Sequence, residues 1–126
     1  MERLNVTPLG EAQILLEPGE ALDPSDPDED MAQLYAELQD QGARRLICDL
    51  GGLPVVDPVY YGWLERLATL CGVAGMEMVV VNMRPAAAYA LARQLDGPPA
   101  FACERSVERA RRRPLGRPGE GRPGSR

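Results

Sequence analysis

Short apolar runs at Leu4 to Leu9 and Ala12 to Leu16, parted by Gly10, predict two strands joined as a hairpin, and Pro18-Gly19 closes the second. The period then lengthens from two to about 3.6. Met31, Leu34, Tyr35 and Leu38 stand at i, i+3, i+4 and i+7, one apolar stripe along a helix that Gly42 stops. Asp28, Glu29 and Asp30 open that helix where negative charge favours the helix dipole. A strand follows at Arg45 to Leu50, then a turn over residues 51 to 56, then an apolar helix from Val59 to Cys71 closed by Gly72. The unbroken run Met76 to Val81 predicts a strand covered on both faces. Arg84-Pro85 opens a third helix with a buried stripe of Ala88, Leu91, Ala92 and Leu95, ended by Gly97-Pro98-Pro99. A short strand, Ala100 to Cys103, leads into a helix from Ser106 that dissolves among arginines.

This alternation is that of an α/β domain with a mixed central sheet of about five strands and about four helices. A length of 126 residues and a hydrophobic share of 44% suit one domain with one core. Residues 1–110 are assigned to the domain and 111–126 to a disordered Arg/Pro/Gly-rich tail, because the stretch from Pro114 has almost nothing to bury. Charge divides along the same line. From Arg105 onward eight arginines face two glutamates, a net +6, which leaves −11 for the rest of a chain of net charge −5. A basic tail suggests an acidic partner, but it carries no aromatic residue to stack on a base, so nucleic acid is not expected as a partner. The N-terminus lacks the layout of a signal peptide and no apolar run is long enough to span a bilayer, so a cytoplasmic protein with no direct membrane insertion is expected.

Candidate chemistry is sparse. Histidine is absent, which removes the commonest general base and metal ligand together. Cys48, Cys71 and Cys103 fall in apolar segments with no close pair, as reduced buried thiols do. The acidic run from Asp23 to Asp30 lacks the spacing of a calcium loop, so neither a metal nor a cofactor is expected. Gly51-Gly52-Leu53-Pro54 lacks the second glycine and the Lys-Ser/Thr of a phosphate loop. Asp49 and Asp57 would pair only if the turn folded them together, and Ser25, Ser106 and Ser125 have no base beside them in sequence. No enzyme is expected. The dipeptide Asp57-Pro58 reads locally as a helix start, with Asp57 the N-cap and Pro58 at the first helical position.

The segment Cys48-Asp49-Leu50-Gly51-Gly52-Leu53-Pro54-Val55-Val56-Asp57 leading into the second helix resembles the STAS family of anti-sigma-factor antagonists, in which a strand ends in Asp-Leu, a small-residue turn follows, and Asp-Ser opens the helix. Val79 to Ala88, with its valines, short polar turn and Pro-Ala, resembles the same family at its third helix, and the nearest likeness is to the small single-domain scaffold of the stressosome. The resemblance covers roughly residues 3 to 110. It implies a non-catalytic regulatory domain in partner switching and the stress response. Its partners would be an anti-sigma factor or switch protein kinase, together with related STAS proteins or further copies of the same chain. Asp57, Pro58, Val59, Tyr61 and Arg84 would form the docking edge, Tyr61 being the aromatic expected to be exposed while Tyr60, Trp63, Leu64, Leu67 and Cys71 share the buried face. The family's phosphoacceptor serine is here Pro58, so no phosphorylation is expected at that position. A runner-up implication is the cytoplasmic STAS subunit of a lipid or ABC-type transport complex.

Overall fold

The computed structural model describes residues 4–53 and 55–115. Strands β1 (Leu4–Gly10) and β2 (Gln13–Pro18) pair antiparallel, and β2, β3 (Arg45–Asp49), β4 (Glu77–Val81) and β5 (Ala102–Glu104) run parallel, in the spatial order β1-β2-β3-β4-β5. Between them come α1 (Asp28–Asp40), α2 (Pro58–Val73) and α3 (Pro85–Gln94), and α4 (Val107–Arg112) follows β5. Consecutive parallel strands lying side by side in one direction across the sheet require crossovers of one hand, and these place their helices on one face. Leu16, Cys48, Met78 and Val80 accordingly pack with Leu34, Leu38, Leu64, Leu67 and Leu91 in the main core. The opposite face buries Ile47, Val79 and Val81 against Ala110 of α4. Burial of alternate β4 residues in the two clusters accounts for its unbroken apolar run.

The back face has a polar row as well. Register places Gln13, Arg45 and Glu77 side by side at the starts of β2, β3 and β4. The Arg45 side chain is fully buried; its Nε donates to Glu77 Oε1 at 2.7 Å, and its Nη atoms donate to the carbonyls of Ala110 (3.0 Å) and Pro114 (3.1 Å). Ala110 lies in the last turn of α4 and Pro114 just beyond it, at the end of the helix where its dipole is negative. Arg113 adds a bond to Glu77 at 2.9 Å and one to Glu104 at 3.0 Å. Helix α4 therefore runs past the boundary expected at 110, and Arg111, Arg113 and Pro114 of the expected tail bond to the domain; residues 116–126 lie outside the described residues.

Several expectations are corrected in detail. The hairpin turns through Glu11 (φ 57°) and Ala12 (φ 61°), not across Gly10 alone, and Ala12 O accepts from the amides of Arg44 and Arg45. Helix α2 runs past Gly72 to Val73, because it is Gly75, at φ 76°, that takes the left-handed position. In α3 the buried positions are Ala87 and Leu91 while Ala88 and Ala92 are exposed, since the helix rests on the sheet along an i, i+4 line one residue earlier than expected. Tyr35 is 42% exposed, so the stripe of α1 is narrower than its sequence suggested. Cys48 and Cys71 are buried as expected, but Cys103 is exposed at the edge strand.

Two expected outcomes follow. Arg45→Ala leaves the partly buried Glu77 carboxylate with Arg113 alone and removes the side-chain donor to the Ala110 and Pro114 carbonyls, and should destabilise the protein by about 3 kcal/mol, read from chemical denaturation. Burial pushes the Cys48 thiol up and the Cys71 thiol up to about 12. Both thiols hold their protons more tightly folded than unfolded, so the stability they confer is whole below the ordinary thiol pKa of about 8.5 and falls as pH rises beyond it, by about 1.4 kcal/mol per pH unit per thiol. Urea unfolding between neutral and alkaline pH checks this, and Cys71→Val should make the decline shallower.

Candidate functional site

The turn between β3 and α2 is built by Asp49. Its Oδ1 accepts from the Gly51 amide at 2.8 Å and from Asn82 Nδ2 at 3.2 Å, so this carboxylate is engaged in tying the end of β3 to the end of β4. Asn82 adopts φ 60°, a left-handed geometry that asparagine accepts more readily than most residues. A Cβ on Gly51 would sit 3.1 Å from Asp49 Oδ1, close enough that the carboxylate would have to shift by a few tenths of an ångström. Arg84, two residues past Asn82, donates from Nε and Nη2 to Gly51 O at 3.4 Å. Thus the β3–α2 turn and the β4–α3 turn are bonded to one another.

Asp57 terminates that turn as an extended N-cap, its Oδ1 accepting from the Tyr60 amide at 2.8 Å, with Pro58 at N1. The anchor of α2 behind it is Trp63, buried, whose Nε1 donates to Asp30 Oδ2 of α1 at 3.3 Å. With α2 fixed so, Asp57 and Pro58 are exposed, as are Val59 (51%) and, in the turn, Val55 (65%). Asp57, Pro58, Val59 and Arg84 therefore reach solvent beside the two bonded turns. Tyr61 does not reach it. It is only 8% exposed, lying under Phe101 with ring centroids 6.0 Å apart, and burial raises its phenol pKa. The segment after α3 folds over α2 at this point, a contact that the wheel of α2 alone cannot reveal. Tyr60 is buried as expected, and its Oη finds no hydrogen-bond partner among the described residues.

The site carries one exposed carboxylate that caps a helix, one arginine and several small apolar side chains. Asp49 and Asp57 do not pair, since each accepts from backbone in its own turn. No group of three or more metal-ligating side chains occurs among the described residues, and no helix there is long and apolar enough to cross a membrane. Asn82 and the partnership of Arg84 with Gly51 were missed from the sequence, where the only signal was an asparagine at a strand end before Met-Arg-Pro.

Solved structures share this fold. A serine-to-glutamate variant of RsbS from Moorella thermoacetica aligns with TM-score 0.73 at 17% identity, over 83% of this chain and 90% of that one. The protein TM1081, solved by NMR, aligns at 0.70 and 14% identity over 90% of each chain. A chain of the stressosome, described as a signal integration and transduction hub, aligns at 0.71 and 17% identity over 82% of this chain and 90% of its own. The chain has the STAS fold. No family model and no curated protein matches it by sequence.

Two substitutions test the site's local physics. Asp57→Ala should cost about 1 kcal/mol of stability through loss of the cap, and Asp57→Asn, which can still accept from the Tyr60 amide, should cost less. Tyr60→Phe removes a buried hydroxyl that has no partner, and should leave stability unchanged or raise it by about 1 kcal/mol in the same denaturation assay.

Proposed function

We propose that this STAS-fold chain is a non-catalytic regulatory domain that works by binding other proteins, in the manner of an anti-sigma-factor antagonist or stressosome scaffold, with a docking edge that phosphorylation cannot switch. The observation that carries the reading is the start of α2: Asp57 caps the helix, Val55 and Val59 stand exposed on either side, and Pro58 occupies the position where the resembled family has its phosphoacceptor serine. Phosphate at a helix N-terminus brings close to two negative charges and is stabilised there by the dipole. Proline has no hydroxyl to accept it. The edge consequently offers the same charges, Asp57 and Arg84, whatever the state of a kinase. Its partners in this reading are an anti-sigma factor or switch protein kinase and related STAS proteins or further copies of this chain, in the cytoplasm. Arg84 supplies a cation within the edge, and the exposed valines supply the apolar contact that an interface core needs.

The test is to incubate the full chain with a cognate kinase and ATP, map phosphate by mass spectrometry and measure partner retention on the same sample. Protein that stays unmodified and keeps its partner is the expected result, as is weakened retention for Val59→Asp with little loss of stability. Stoichiometric phosphate on Tyr60, Tyr61, Thr69 or Ser106 that releases the partner would overturn the fixed-edge reading. Pro58→Ser should leave the fold intact and restore kinase-dependent release.

A further inference from the structure

At the carboxyl ends of β4 and β5 the chain departs in opposite directions. After β4 it enters α3, on the face that carries α1 and α2; after β5 it enters α4, on the other face. Where successive connections leave a parallel sheet on opposite faces, a crevice opens beyond the strand ends, and this is where open α/β sheets receive small ligands. The crevice exists here. It is a cleft of about 440 Å³, within the range of ligand pockets, walled by Val80, Met83, Ala88 and Cys103 and rimmed by Glu104, Arg105 and Arg109.

Its charges are not balanced. Glu104 is engaged by Arg113 at 3.0 Å, on the α4 side. Arg105 and Arg109 are exposed and hold no ion pair among the described residues. The cleft thus joins an apolar floor to two unpaired guanidinium groups at its mouth. We propose that it binds a small amphipathic carboxylic acid, the apolar body lying against Val80, Met83 and Ala88 and the carboxylate accepting from Arg105 and Arg109. The fork of a guanidinium matches the two oxygens of a carboxylate. The displacement of Ala88 from the buried line of α3 now has a consequence, because a methyl group there leaves the cleft open where a larger side chain would close it. Met83 adjoins Arg84, so a bound acid would lie next to the turn that carries the docking edge.

Cys103 is a reporter within the cleft, since the other two thiols are buried. The experiment follows alkylation of Cys103 by a maleimide in the full chain as octanoate is added, with amide shifts of the ¹⁵N-labelled protein recorded alongside. Octanoate should slow alkylation saturably and move the amides of Met83, Cys103, Arg105 and Arg109. Octanol, which has the body without the charge, should do so about tenfold more weakly, the difference expected for one charge-assisted contact, and acetate, which has the charge without the body, about sixtyfold more weakly or weaker still, the difference expected for three or more buried methylenes. The double variant Arg105→Gln/Arg109→Gln should raise the octanoate Kd about tenfold. Ala88→Phe should abolish protection by filling the cleft. No protection by octanoate at millimolar concentration would overturn the proposal, as would protection that octanol matches or that survives the arginine pair's replacement. That pair is on the surface, so its test stands even if Ala88→Phe fails to fold.

Discussion

A buried guanidinium organises the back of the molecule. Arg45 has no exposed surface, and a charge removed from water is tolerable only when its donors are matched by acceptors held in place. The matching acceptors are Glu77 on the neighbouring strand and the carbonyls at the end of α4, so burying Arg45 requires the last helix to lie across the sheet in one orientation. Helix α4 is only six residues long and would not persist alone. It is held by Ala110 and Val107 packing on Ile47, Val79 and Val81, and by this polar clasp at its C-terminus. Arg113, bridging Glu77 and Glu104, extends the clasp to β5 and engages the carboxylate that would otherwise face Arg105 and Arg109. The position of α4, and with it the crevice beyond the carboxyl ends of β4 and β5, depends on a residue at the opposite end of the strands.

The front of the molecule is organised by different means. There α1 buries Leu34 and Leu38 and α2 buries Trp63, Leu64, Leu67 and Cys71 in the main core, while α3 buries only Ala87 and Leu91 and leaves Tyr89 68% exposed, with Arg93 above its ring at 5.9 Å. Rigidity at the docking edge comes from hydrogen bonds instead of packing. Asp49, Gly51, Asn82 and Arg84 join two turns, and Asp57 fixes the first turn of the helix that follows. In the proposed reading, turns held in this way lower the ordering cost of binding.

Most of this fold was legible in the sequence because its elements differ sharply in period and in punctuation. The run from Met76 to Val81 can be covered on both faces only inside a sheet, and Asp57-Pro58 contains a complete helix start in two residues. What escaped were relations between elements. Tyr61 was expected outside because its own helix places it away from Trp63, and Phe101, forty residues later, covers it. Arg45 begins an apolar strand beside Arg44, yet Arg44 is exposed and Arg45 buried; only the arrival of α4 distinguishes them. The end of the domain was set inside α4 because the helix from Ser106 dissolves among arginines into a stretch with almost nothing to bury, although Arg111 and Arg112 complete that helix and Arg113 its clasp. The composition of a short helix is a poor guide when polar contacts at its end decide its place.

In the proposed reading, the absence of histidine and a proline where the resembled family has its serine act together at the docking edge. A surface can be switched by changing a charge, and near neutral pH that is done most readily by titrating a histidine or phosphorylating a hydroxyl. The chain has no histidine, and Pro58 removes the hydroxyl from the helix start. Other hydroxyls are placed to do other things. Thr69 lies about three turns along α2 and donates to Glu65 O, and Ser106 caps α4 by accepting from the Arg109 amide. Phosphate on Ser106 would meet Arg109 and Arg105 beyond β5, not Asp57. In the proposed reading, the edge formed by Asp57, Val59 and Arg84 therefore has no hydroxyl or imidazole of its own through which its charge could be switched, and a signal that alters its binding has to arrive through a change in what lies against it.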